Sequence, residues 1–220
     1  SDSLDIDVRP AREATFPLSL RVPRWCARPE FQLNGKPVEA AVDARGFVRI
    51  ERLWKPGDRV HLHFLMTPRV HMGHDNAVAD TPYATVSYGP LLFALAIPDT
   101  ADANTVDTTF PWNYALDLQG TGPDFDVIVD RRQMPETWSW QLHAPLTLRV
   151  RAQRFDWPLA ARPAFPASAT EGDGASPFHP ETIATHLPAQ PVANGTEGEY
   201  IPLIPYGCTK FRISMFPVTE

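Results

Sequence analysis

Cysteine is scarce in this chain. Cys26 and Cys208 are the only two among 220 residues, too few for a disulfide framework or for a cysteine-based zinc site of ordinary spacing. Charge of one sign is scarce as well: 20 Lys plus Arg stand against 26 Asp plus Glu, a net charge of −6. That balance excludes the basic footprint with which proteins grip nucleic acid. Long apolar runs are missing, since stretches such as Leu91–Ile97 fall far short of the ~20 residues of a membrane-crossing helix. Ser1–Pro10 carries Asp2, Asp5 and Asp7 and has no basic stretch followed by an apolar one, so no signal peptide is expected. Helical periodicity is also absent; the best helix candidate is a short turn at Glu181–His186. The 24 prolines, spread along the chain, would interrupt helices wherever they fell.

What is present is alternation. In Phe16-Pro17-Leu18-Ser19-Leu20-Arg21-Val22 every second residue is apolar, which on a pleated strand puts all of them on one face. The same pattern recurs at Val60–Phe64, Leu146–Arg151 and Phe211–Met215, and antiparallel sheets with one wet face read this way. Turn signals lie between: Asn34-Gly35, Arg45-Gly46, Pro56-Gly57-Asp58 and Tyr88-Gly89-Pro90. Short strands at close spacing predict an all-β chain of two antiparallel, jelly-roll-like β-sandwich domains. Strands crowd residues 4–97, and Pro98–Asn113 is a polar connector, so a boundary is expected near Ile97. The first sandwich would then span residues 1–97, and the second 98–199, with Phe125–Val129 and Leu146–Val150 as its clearest strands. The last strand, Lys210–Phe216, stands about 50 residues from that second group and can return to the first, which would then include roughly residues 200–220.

Six segments, in order, resemble the β-sandwich region that follows the catalytic domain in glycoside hydrolase family 127 (GH127), formerly domain of unknown function 1680. They are Phe16–Cys26, Leu33–Pro37, Ile50–Leu62, Tyr88–Leu92, Pro111–Leu116 and Leu203–Ile213. That family includes bacterial β-L-arabinofuranosidases. The resemblance implies an (α/α)6 catalytic barrel upstream, followed by two β-sandwiches, the first completed by the final segment of the chain. It also implies that the glutamate and the zinc-binding cysteine cluster of such enzymes belong to the barrel. No segment here reads as that barrel, so no catalytic residue carries over. Two departures stand out: Tyr88 precedes Gly-Pro-Leu where many relatives have a basic residue, and Phe93-Ala94-Leu95 replaces a more common Tyr-Cys-Leu.

On their own chemistry, His61 and His63 lie two apart on an expected strand, so their rings share a face. They are either a metal-ligating pair or two ordinary wet-face residues opposite Val60, Leu62 and Phe64. Trp138 and Trp140 alternate likewise and could offer two indoles to a sugar ring, or could pack in a core or domain interface. Asp124 and Asp126 share a face beside Asp130, but nothing nearby would raise one carboxyl as a glycosidase acid requires; they read as a solvated edge. No Gly-x-Ser-x-Gly elbow occurs, and Gly120-Thr121-Gly122 leads into Pro123 rather than a helix, so neither a serine triad nor a phosphate loop is expected. The cysteines read as buried small hydrophobes. The expectation is a non-catalytic portion of a β-L-arabinofuranosidase-like enzyme, needing no cofactor. Its partner would be the catalytic barrel of its parent chain, with glycan binding and self-association as further possibilities and neither nucleic acid nor membrane among its partners. The alternative is an independent carbohydrate-binding module built on Trp138 and Trp140.

Overall fold

The computed structural model describes residues 2–75, 81–98, 109–118, 124–130, 144–157, 159–161, 182–184 and 197–219. Contacts divide the chain into two units, Ser1–Thr67 and Pro68–Glu220.

The first unit contains β1 (Ser3–Val8), β2 (Ala14–Arg21), β3 (Pro29–Leu33), β4 (Lys36–Pro37), β5 (Phe47–Trp54) and β6 (Asp58–Phe64). Antiparallel pairing orders four of them β1-β6-β3-β4, and β2 pairs with β5 from Ala14↔Trp54 to Arg21↔Phe47. Alternation sends Leu20, Val48, Ile50 and Trp54 from one sheet, and Val8, Phe31, Val60 and Leu62 from the other, into one shared core. The fully buried Trp54 anchors it. Its indole N–H donates to the Phe16 carbonyl at 2.8 Å, and its ring lies 5.9 Å from that of Phe16. The expected Asn-Gly hairpin is there: Asn34 and Gly35 both take positive φ, 50° and 77°, as a tight I′-like turn requires. Asn34 also joins that turn to the next. Its Nδ2 donates to Asp58 Oδ1 at 2.8 Å, while its Oδ1 accepts from the Arg59 amide at 2.8 Å. These bonds, Asn34's first and then the Lys55 amide's, hold the Asp58 carboxyl below its ordinary range.

The second unit contains β7 (Pro68–Asp75), β8 (Thr81–Tyr88), β9 (Leu91–Ile97), β10 (Tyr114–Asp117), β11 (Phe125–Val129), β12 (Leu146–Arg154), β13 (Leu159–Ala161), β14 (Thr182–Ala184), β15 (Glu199–Pro205), a 3-10 turn at Tyr206–Cys208, β16 (Phe211–Ile213) and β17 (Val218–Thr219). Its main sheet runs β17-β10-β12-β15-β9-β8-β7, with β11 beside β12 and β16 beside β9. All pairs are antiparallel except β10 with β17. This sheet curls over its own apolar face, burying Val86, Phe93, Leu95, Leu116, Leu148, Val150, Leu203 and Phe216 together. The path of pairings comes back on itself. Phe216, just before β17, exchanges backbone hydrogen bonds with Ala84 of β8 at 2.8 and 2.9 Å. One short segment, 211–219, therefore touches β9, β8 and β10 in turn.

The chain is all β, as the alternation predicts. The boundary expected near Ile97 is corrected to Thr67–Pro68. β7, β8 and β9, expected in the first sandwich, belong to the second unit, where β9 pairs with both β15 and β16. The final segment does come back to β9, and thereby joins the second unit rather than Ser1–Thr67. The reason is physical: three residues, Leu65-Met66-Thr67, separate β6 from β7 without a loop-like composition, and alternation reports strands but not their partners. The turn expected at Glu181–His186 is also corrected, since Thr182–Ala184 forms β14 and pairs with β13; β-branched Thr182 and Ile183 favour the extended chain.

Candidate functional site

The outer face of β1, β6 and β3 carries a row of charged side chains. Register sets Asp5 opposite His61, Asp7 opposite Arg59, and Glu30 opposite His63, so cross-strand neighbours pair by charge. His61 Nδ1 lies 2.9 Å from Asp5 Oδ1. His63 has a carboxylate at each nitrogen, Glu30 Oε2 at 3.2 Å from Nδ1 and Asp2 Oδ2 at 3.4 Å from Nε2. Each imidazole is about a third exposed, 33% for His61 and 32% for His63. Glu30, and then Asp2, hold the His63 imidazolium above its ordinary range against a smaller opposing effect of burial. Arg59 Nε sits 2.9 Å from Asp7 Oδ1 and, with Arg9 at 3.1 Å, keeps the Asp7 carboxyl below the usual range. The two histidines thus share a face as expected. Among the described residues no group of three or more His, Cys, Asp or Glu side chains is arranged to hold a metal ion.

In the second unit, Tyr114 stands opposite Arg154 in the β10–β12 register. Its hydroxyl accepts from Arg154 Nε at 3.2 Å and donates to Glu199 Oε1 of β15 at 3.0 Å, and Arg154 Nε also reaches Glu199 Oε1 at 2.9 Å. Burial pushes the Tyr114 hydroxyl above its ordinary range. Beside this network Trp112, Trp157 and Phe155 stack in steps of 5.4 and 5.3 Å, while Asn113 Nδ2 donates to the Phe155 carbonyl. Alternation does not mark the network, because each of its members comes from a different strand, and the stack joins Trp112, just before β10, to Phe155 and Trp157, just after β12. The one signal was that Trp112 and Tyr114 fall within the Pro111–Leu116 segment already singled out.

The remaining candidates disperse. Trp138 and Trp140 lie outside the described residues. Asp126 faces Arg149 across the β11–β12 ladder at 3.8 Å, and Asp124 is exposed at the start of that strand. Cys26 is buried in the first core and Cys208 half-buried; both are free thiols, and burial pushes that of Cys208 up. Asp58, Asp7 and Asp43 all sit below the usual carboxyl range, the opposite of what a general acid needs at neutral pH.

Comparison with known proteins bears on the first unit most directly. The sequence profile of the β-L-arabinofuranosidase GH127 middle domain matches residues 1–66. Residues 1–66 are thus similar to a GH127 middle domain. The match ends within one residue of the boundary that the contacts draw at Thr67. Solved structures resemble the whole chain in fold. A GH127 β-L-arabinofuranosidase from Geobacillus stearothermophilus T6 is 21% identical with a TM-score of 0.58, over 98% of this chain and 28% of that one. A GH127 β-arabinofuranosidase is 20% identical with a TM-score of 0.60, over 99% and 30%. A protein described as a glycoside hydrolase is 20% identical with a TM-score of 0.59, over 100% and 30%. The chain thus spans less than a third of the length of the structures it matches. Among curated proteins no sequence matches.

Proposed function

We propose that this chain is the non-catalytic β-sandwich portion of a β-L-arabinofuranosidase-like glycoside hydrolase, and that it works as a scaffold for the (α/α)6 barrel of its parent chain. The observation that carries the reading is the coincidence of the GH127 middle-domain match, residues 1–66, with a compact unit of its own, Ser1–Thr67. The local chemistry supports it. The acids on the outer face of β1, β6 and β3 are engaged in cross-strand pairs with His61, His63 and Arg59, and pairing of that kind fixes a sheet rather than supplying a proton to a leaving group. The barrel would contribute the catalytic groups, and this chain would contribute packing and a wall beside them.

The test is turnover of a synthetic β-L-arabinofuranoside by the isolated chain. No release above buffer is expected. Turnover abolished by a single Asp or Cys substitution would overturn the reading. Calorimetry with arabinose-rich oligosaccharides runs beside it: heat that disappears in Trp138→Ala or Trp140→Ala would replace the scaffold with an independent binding module.

A further inference from the structure

His63 lies between acids from two different segments. Glu30 on β3 faces its Nδ1, and Asp2, the residue that leads into β1, faces its Nε2. A neutral imidazole carries one N–H, so it can donate to one of these carboxylates and must turn a lone pair toward the other. The imidazolium donates to both. Among the described residues β1 has a single strand neighbour, β6, and its ladder is prolonged to Asp2 by the Phe64 amide, which donates to the Asp2 carbonyl at 2.7 Å.

We propose that His63 is a proton-operated clasp on the first strand: as imidazolium it ties Asp2 to β6 and, through Glu30, to β3, and on losing its proton it gives up one of the two ties. The longer contact, to Asp2 at 3.4 Å, is the one that opens, so the start of β1 is the part released. The other groups on this face do not duplicate the device. Asp7 is engaged by Arg59 and Arg9, Gln32 of β3 bears no charge, and His61 meets one carboxylate, Asp5, through Nδ1.

The sign follows from linkage. Because the two carboxylates favour the charged ring in the folded chain, the clasp is fully closed below the ordinary histidine range of ~6.5 and is lost as pH rises through the higher folded value.

Amide hydrogen exchange on the full chain, followed by mass spectrometry of the peptide spanning residues 2–8, reads this directly. Protection is compared at about pH 5.5 and about pH 8.5, on either side of the imidazole range, after correction for intrinsic exchange chemistry. It is expected to fall roughly two- to fivefold at the higher pH, the scale of an exposed ion pair. The fall should vanish in His63→Gln and in Asp2→Ala, and persist in His61→Gln. Equal protection at both pH values in the unaltered chain would overturn the clasp, as would a pH-dependent fall that survives in His63→Gln or disappears in His61→Gln.

Discussion

The two units solve the same problem in different ways. Ser1–Thr67 lays two small sheets face to face and fills the gap with Trp54, so its core comes from strands close together in sequence. Pro68–Glu220 bends one sheet over itself and closes the path with residues 211–219, which meet β8 and β9 from more than 100 residues away. In the first unit β3–β4 is a local hairpin while β1 reaches to β6 and β2 to β5, yet every partner lies within Ser1–Thr67. A curled sheet cannot be finished until its most distant piece arrives.

Removing the closing segment should separate the two most sharply. A chain ending at Thr209 loses Phe216 from the second core together with three sets of strand contacts. It is expected to lose amide protection throughout β8, β10 and β12 while β2, β5 and β6 keep theirs. Equal loss in both groups would mean that the units do not fold separately. Next in size is Trp54→Ala, which empties the first core and deletes the bond to Phe16. A cost of about 3–5 kcal/mol is expected in denaturant unfolding of the first unit, with the second unit's exchange unchanged. Smaller is Gly73→Ala on the β7–β8 pair, where Tyr83 lies across the glycine and an added Cβ would meet its ring carbon at 2.5 Å. Displacing that ring should cost about 1–3 kcal/mol, and the loss of protection should concentrate in β7.

Much of the fold was legible because burial on a strand has period two. Leu18 and Leu20, Val60 and Leu62, and Leu148 and Val150 all turn inward where alternation puts them. The shared face of His61 and His63 follows from the same rule. Their acids did not, because Asp5, Glu30 and Asp2 lie 30 or more residues away and register alone brings them in. The Tyr114–Arg154–Glu199 network was hidden for that reason, since three strands each contribute one member. The domain boundary was misplaced at a polar stretch, Pro98–Asn113, which looks like a linker by composition although the strands on either side of it, β9 and β10, belong to the same unit.

The closing segment also sets a timetable. During synthesis the first unit has all its strands once Phe64 is made, whereas the second lacks its last wall until Val218 is made. At ~5–20 residues per second those events are separated by roughly 8 to 30 seconds. Through that interval β8, β9 and β12 exist with their apolar faces uncovered. For that interval the second unit is a half-built sheet, while the first already has every strand it needs.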